Sequence, residues 1–299
     1  PEIYSRCFFV PRRSLSGSFF NLLSRILVLL AGFQVKGLIM VNSFCSLYRT
    51  PLPEFQPKLQ LAIDRGCSVS HTPSQIFFRA DDIGVPSTKF NRLIEYFSRH
   101  QLPLCLAAVP AWTTYSRLDE LRKITGGNSS QWCWHQHGRL HRNFEQTRRK
   151  QEFGPARSRE ELLVQLEKGK SRMQDLFGGH FTPVFTPPWN RCSIETLRGL
   201  VDLDFRAVSR NRNALPRAPS ALPDFQVNVD LHTRKEGAPS LALANLLDEV
   251  EHGLASGLCG VMIHHQRMNE SAFAFLDLLL SRIRADKRIT PVHFGELIG

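Results

Sequence analysis

The sequence has no pair of cysteines at the two-residue spacing of zinc and redox motifs. Its 7 cysteines are odd in number and widely spaced. Some lie inside apolar runs, as in Leu104-Cys105-Leu106 and Cys259-Gly260-Val261, which indicates buried free thiols. This usage argues against a disulfide framework.

Acidic residues are scarce relative to basic ones. The chain has 27 Asp and Glu against 38 Lys and Arg, a formal net charge of +11 and a pI of about 9.7. Such a balance favours anionic partners, but there is no lysine-rich block and no basic cluster interleaved with aromatic residues. We therefore expect no nucleic-acid partner and interpret the dispersed charge as a solvated surface.

The sequence also lacks an apolar run long enough to span a bilayer. In the first fifty residues, Arg12 and Arg13 precede an apolar segment whose core is 26–33, bracketed by Arg25 and Lys36. We interpret residues 1–50 as an N-terminal extension outside the fold. The alternative is a signal or anchor over residues 12–41. A cytoplasmic location is favoured, and an exported or membrane-anchored one follows if that segment acts as a signal.

Residues 51–299 alternate between short apolar runs and helical periodicity, without a repeat. Alternation of this kind predicts one domain of parallel strands with crossover helices, either a barrel or a doubly wound sheet, with its ligand site at the carboxyl ends of the strands. The predicted strands are 75–80, 104–109, one from Trp132, 181–185, 205–208, 225–231, 260–263 and 292–294. The predicted helices are 52–64 closed by Gly66, one from Ser87 to His100, 116–123 with Ser116 as N-cap, 158–177 opened by a capping box, 193–200, 240–255 and 270–285.

Asp81 and Asp82 follow the first predicted strand and precede a glycine. Two adjacent carboxylates repel each other unless one takes a proton or a divalent cation binds. The pair predicts that one aspartate binds metal and the other acts as a base, and the alternative is a helix cap or an Asx-turn.

His137 and His141 are four residues apart, a spacing that lets both imidazoles reach one metal from a helical turn or a helix-like loop. His135 adds a third imidazole on the His137 side of a strand. Two histidines and one carboxylate make a three-ligand site with open positions, as in hydrolytic zinc centres; surface histidines are the alternative.

Two further strand ends carry candidate groups. Pro187-Pro188-Trp189-Asn190 ends one strand, where a rigid turn could present Trp189 to a sugar ring or acyl group and a nearby backbone N–H to an oxyanion. The apolar run 260–263 leads into His264 and His265, of which one is expected to enter the site as a general acid. The structural alternatives are a strand-ending turn and an edge histidine bonded to a loop carbonyl.

The order of these four motifs resembles that of the polysaccharide deacetylases of the NodB-homology group, carbohydrate esterase family four (CE4). The resemblance covers roughly residues 75–294. It implies a distorted (β/α) barrel of about seven parallel strands. It also implies metal-dependent hydrolysis of N- or O-acetyl groups on a glycan, and so an acetylated glycan as the partner.

The resemblance also implies a role for each motif residue. Asp81 is the general base; Asp82, His137 and His141 hold a divalent metal, typically Zn²⁺. The general acid is His264, or else His265. The substrate-binding residues are Trp189, which would line the acetyl pocket, Asn190, whose backbone would serve the oxyanion, and Pro188.

Two family features are missing from the sequence. Thr186 stands where the third motif has an arginine that positions the base, and Arg79 or Arg191 is the candidate replacement. The aspartate that tunes the acid histidine has its nearest candidate in Asp230. The alternative functions are a metal-dependent amidohydrolase on a non-carbohydrate amide, and an inactive basic glycan-binding protein of the same fold.

Overall fold

The computed structural model describes residues 44–49, 55–69, 72–126 and 130–299. In this part of the chain eight parallel strands form a single curled sheet of the NodB-like (β/α) barrel type, as predicted. The strands are β1 (Ser74–Ile83), β2 (Leu104–Ala108), β3 (Trp132–His137), β4 (Phe181–Thr186), β5 (Ala207–Val208), β6 (Val229–Asp230), β7 (Leu258–Ile263) and β8 (Ile289–Pro291).

Seven strands run in the order β5-β4-β3-β2-β1-β7-β6, and β8 pairs with the first residues of β1. Strand β1 is thus central, with β2 and β7 as its neighbours. The helices are α1 (Phe55–Ser68), α2 (Thr88–His100), α3 (Tyr115–Thr125), α4 (Arg159–Phe177), α5 (Ile194–Asp202), α6 (Pro239–Ala255), α7 (Glu270–Ala285) and α8 (Phe294–Leu297).

The two faces of β1 bury different kinds of residue, because successive side chains on a strand point to opposite sides. Ile76, Phe78 and Ala80 belong to the large core cluster that includes residues of α1, α2, α6 and α7. Phe77 belongs instead to a smaller cluster that also contains Cys105, Cys133 and Met262. Arg79 and Asp81 continue the Phe77 face and are both buried.

Local signals located most elements correctly. Ser158 and Glu161 form the predicted capping box of α4, and Ser87 and Ser193 cap α2 and α5. Of the cysteines, all six in the described residues are free and buried, as expected.

Several boundaries were wrong. Strand β1 continues through both aspartates to Ile83. Helix α3 is capped by Thr114, two residues before Ser116. The run predicted as 225–231 forms only the two-residue β6, and the last strand lies at 289–291, before the predicted 292–294.

Gly66 lies inside α1 instead of closing it. A Cβ at this position would lie 2.7 Å from the Glu251 carbonyl oxygen and 2.8 Å from Leu254 Cβ, both in α6. The glycine therefore permits close helix packing, which a sequence pattern does not distinguish from a helix stop.

Residues Phe44–Gly299 form one compact unit. Leu47 and Tyr48 are already buried in its core, and Asn269 Nδ2 donates to the Tyr48 carbonyl at 2.8 Å. The predicted division at residue 50 stays a prediction, and the candidate signal segment lies outside the described residues. None of the helices in the described ranges combines the length and apolar character needed to cross a membrane.

Candidate metal centre and its cleft

The sequence-predicted groups meet in one cleft of about 1260 Å³. Asp81 and Asp82 come from β1, His137 from the end of β3, and Trp189 and Asn190 from the turn after β4; His264 follows β7. All of these side chains line the cleft. Since parallel strands bring their carboxyl ends to one edge of a barrel, motifs distant in sequence converge there.

Asp82, His137 and His141 form a compact ligand set, with one ligand atom from each within 4.8 Å of the others. Asp82 Oδ1 lies 3.2 Å from His137 Nε2 and 3.0 Å from His141 Nε2. Asp82 has a φ of 64°, and the register between β1 and β2 shifts here. This left-handed residue breaks the strand alternation, so two successive carboxylates both reach the cleft.

The contacts within this set are not hydrogen bonds. Asp82 Oδ1 is buried and, among the described residues, has no partner of hydrogen-bond geometry despite the two nearby imidazoles. Burial alone would raise the pKa of Asp82, but the two imidazoles hold the pKa well below its usual range. A half-buried carboxylate whose buried Oδ1 has two imidazole nitrogens beside it provides the donor set of a three-ligand zinc site, so these residues fit a divalent metal.

Contacts of His137 orient its imidazole toward Asp82. Its Nδ1 donates to the Thr186 carbonyl at 3.0 Å, which leaves Nε2 directed at Asp82. Such outer contacts orient ligand histidines and select their tautomer. His141 packs between Trp112 and Trp189, at ring-centroid distances of 5.1 and 4.8 Å.

The segment that joins the two histidines is a loop wrapped around Glu152, not a helical turn. The carboxylate of this fully buried residue accepts from the backbone N–H groups of Arg139, Leu140 and His141, the last two at 2.7 and 2.9 Å. Gly138 has a φ of 56°, and a Cβ there would lie 2.3 Å from Glu152 Oε2. Glu152 therefore shapes the loop that places His141, a role that sequence reasoning missed.

We expect Glu152→Gln to weaken zinc binding by about 10- to 100-fold, the range typical for residues that support metal ligands. The neutral amide is a weaker acceptor for three N–H groups and brings a donor of its own. Zinc affinity is measured by competition with a chromophoric chelator. Glu167→Gln, on the exposed face of α4, is the matched control. Wild-type affinity in Glu152→Gln would show that the loop holds its shape without the carboxylate.

Asp81 is held by Arg79, two residues earlier on the same strand face. Arg79 Nε donates to Asp81 Oδ1 and Nη2 donates to Oδ2, both at 2.8 Å. Burial alone would raise the pKa of Asp81, but Arg79, helped by His137 and His264, holds it below its usual range. Asp81 is therefore an ionised acceptor inside the barrel.

Arg79 is itself fixed by several partners. It donates to the carbonyl and hydroxyl of Ser209 at 3.0 and 2.8 Å and to Asn190 Oδ1 at 2.7 Å. Of the two candidate replacements for the missing arginine, Arg79 therefore contacts Asp81. Among the described residues, the Arg191 guanidinium donates only to the Lys150 carbonyl, at 3.4 Å.

The two histidines after β7 lie in different environments, as expected for adjacent residues at the end of a strand. His264 lines the cleft, and its Nδ1 has no hydrogen-bond partner among the described residues. His265 is buried against the Phe90 ring, and burial lowers the pKa of His265 to about 4. The backbone N–H of His264 donates to His232 Nδ1 at 3.2 Å. His232 is a buried support that the sequence did not reveal.

Asp230 does not contact the His264 imidazole. Its carboxylate instead accepts from the backbone N–H groups of His232 and Thr233, at 3.0 and 2.8 Å. Asp230 thus closes the turn after β6, and no described residue occupies the place of a carboxylate hydrogen-bonded to His264.

The turn after β4 places Trp189 and Asn190 beside the ligand set, both with positive φ. The Asn190 N–H already donates to the Pro187 carbonyl at 2.9 Å, so an oxyanion would compete with this bond. Pro188 is buried, and its Cγ lies 2.6 Å from where a Cβ on Gly138 would be. The substrate-binding roles of these residues stay predictions.

His135 is not part of the ligand set. Its Nε2 lies 3.0 Å from Thr186 Oγ1, and its ring packs against Phe294. Burial, together with the nearby Arg79, lowers the pKa of His135 to about 3. Thr186 thus contacts His135 through its hydroxyl and His137 through its carbonyl.

No protein-family model matches the chain, and no curated protein matches its sequence. Its fold is similar to that of a Mycobacterium smegmatis protein considered to be a polysaccharide deacetylase, with a TM-score of 0.59, 14% identity, and 77% and 90% of the two chains covered. A CE4 pseudoenzyme from Bacillus anthracis is similar at a TM-score of 0.52 and 14% identity, over 76% and 66% of the chains.

The chitin deacetylase of the fungal pathogen Colletotrichum lindemuthianum is similar at a TM-score of 0.51 and 14% identity, over 77% and 89% of the chains. These identities support a likeness in fold alone. The chain has the NodB-like distorted (β/α) barrel that the CE4 proteins share.

Proposed function

We propose that this protein is a metal-dependent hydrolase that removes N- or O-linked acetyl groups from a glycan. The observation that carries the proposal is the ligand set of Asp82, His137 and His141 beside an aspartate that Arg79 keeps ionised. A metal set and a separate, positioned base are the two parts that metal-assisted hydrolysis requires.

The proposed roles follow from the environment of each side chain. When bound by these three ligands, a divalent cation, which we take to be Zn²⁺, would polarise the acetyl carbonyl and lower the pKa of a bound water. Asp81 accepts the proton of the attacking water, since its carboxylate is ionised and buried next to the ligand set. His264, at the end of the neighbouring strand β7, donates a proton to the departing amine or alkoxide.

Trp189 would form one wall of the acetyl pocket, because its ring contacts His141 and lines the cleft. Arg79 positions the base and does not touch substrate, since it is fully buried. The contact of Arg79 with Asp81 supplies one of the two family features that the sequence lacks, which weakens the argument for an inactive binding protein. The other, a carboxylate beside His264, has no counterpart among the described residues.

We expect the purified protein to bind one zinc ion per chain and to release acetate from acetylated chitooligosaccharides. A chelator should abolish the release and added zinc should restore it, because the ligand set is the only cluster of three potential metal ligands in the described residues. Elemental analysis and an acetate assay test both points. A protein without bound metal would exclude both enzymatic functions. Hydrolysis of simple N-acetyl amides with no action on glycans would favour the amidohydrolase alternative.

A further inference from the structure

Basic side chains surround the mouth of the cleft. They come from the loops after β3, β4, β5, β6 and β7, which lie toward both ends of the strand order, so they do not form one stripe. Those without a carboxylate partner are Arg149, Lys150, Arg191, Arg212, Lys235 and Arg267.

Within the described residues these cations have no internal counter-ion. Arg149, Lys150, Arg212, Lys235 and Arg267 are exposed, and their side chains make neither a hydrogen bond nor an ion pair with a described residue. The guanidinium of Arg191 reaches only the Lys150 carbonyl.

Each carboxylate that lines the cleft already contacts another group of the protein. Asp81 pairs with Arg79, and Glu236 and Glu249 both pair with Arg234 at 2.6 Å. Asp82 belongs to the ligand set, and Asp230 accepts from backbone N–H groups. Seven Lys and Arg side chains line the cleft against five Asp and Glu, so the lining that also holds the proposed reaction site has an excess of positive charge.

Arg149 and Arg191 also repel each other. Burial lowers the pKa of Arg191 below its usual range, and the neighbouring Arg149 charge lowers it further. Both guanidinium groups line the same cleft without a carboxylate partner among the described residues, and guanidinium geometry suits carboxylate and phosphate.

We propose that the glycan substrate is anionic, and that the mouth cations bind carboxylate or phosphate groups on the sugars next to the acetylated one. This inference rests on the proposed function for the identity of the site. A nucleic acid is less favoured, because Trp189 is the one Trp, Tyr or Phe among the described residues that line the cleft, and base stacking would need more such rings.

The test uses the zinc-loaded full chain and tetrasaccharides without acetyl groups, so that nothing is hydrolysed. Binding of tetragalacturonate and of neutral maltotetraose is measured by calorimetry. We expect the anionic ligand to bind about 10-fold more tightly at low salt, and the difference to shrink at about 0.5 M salt, where exposed charges are screened. Phosphorylated maltotetraose distinguishes phosphate from carboxylate recognition, and tetrathymidylate tests nucleic acid.

The variant Arg212→Gln/Lys235→Gln should lose most of this preference, and Lys287→Gln, an exposed cation on the loop after α7, should keep it. Direct binding of galacturonate to zinc would survive both changes and would overturn the inference. Equal binding of the charged and neutral tetrasaccharides, or tighter binding of tetrathymidylate, would overturn it as well.

An activity measurement separates this inference from the proposed function. Hyaluronan oligosaccharides, which alternate glucuronate with N-acetylglucosamine, should release acetate faster than chitooligosaccharides of equal length. Equal rates on both would overturn the anionic preference and leave the deacetylase proposal standing. A preference for tetragalacturonate that depends on Arg212 and Lys235, with no acetate release from either substrate, would overturn the deacetylase proposal and leave the anionic preference standing.

Discussion

Replacing Asp81 with asparagine is expected to lower acetate release by about 100- to 10,000-fold, the range that a positioned general base contributes. Asparagine matches the shape of aspartate but cannot accept the water proton. Asp82, His137 and His141 are unchanged, so zinc should stay bound. Acetate release and zinc content, measured on the same preparation, test this prediction.

The substitution also leaves the buried Arg79 without its ionic partner. Removal of one member of a buried ion pair typically costs about 3–5 kcal/mol, so lost activity could reflect lost structure. Arg79→Met/Asp81→Asn removes both charges and should be more stable than the single variant, while remaining as inactive. The double variant should therefore unfold at a higher temperature than Asp81→Asn, while acetate release stays equally low in both.

A second ion pair provides a matched control for stability. Arg210, which is almost fully buried, pairs with Asp224 at 2.7 Å, and neither residue lines the cleft. Asp224→Asn should cost similar stability yet retain most of the activity of the folded fraction. Wild-type acetate release by folded Asp81→Asn would refute the role proposed for Asp81.

The His137→Ala variant is expected to lose zinc, with an affinity at least about 100-fold below that of the wild type. The loss of a direct ligand should exceed the 10- to 100-fold effect of removing a residue that only supports one. The remaining pair of His141 and Asp82 offers only two of the three ligands. Elemental analysis after dialysis, followed by zinc titration, measures the loss, and acetate release should fall with it.

His135 provides the control for this variant, because it precedes His137 by two residues on the same strand face. The structure separates the two imidazoles: His137 reaches Asp82, whereas His135 contacts Thr186 Oγ1. We expect His135→Gln to keep zinc at close to wild-type affinity. Loss of zinc in both variants would indicate that the effect comes from damage to β3, and retention in His137→Ala would refute the ligand assignment.

Much of the fold could be predicted because its signals are local. The alternation of apolar runs with amphipathic segments predicted a parallel sheet with crossover helices, and the resemblance of the motifs to the CE4 proteins implied the barrel. Ser158 with Glu161 marked the start of α4 to the residue. The errors arose where tertiary contacts decide. Gly66 permits α1 to approach α6, and residues 225–231 pair with their neighbours over only part of their length.

The sequence by itself determined which chemical groups stand at the strand ends, because each motif is a short run attached to a strand pattern. Only the tertiary structure decided that Arg79, instead of Arg191, holds Asp81, and that Glu152 shapes the loop of His141. It also showed that the mouth cations have no carboxylate partner in the part of the chain that the structure describes. These are relations between residues far apart in the chain, set by how the barrel closes, and no local pattern contains them.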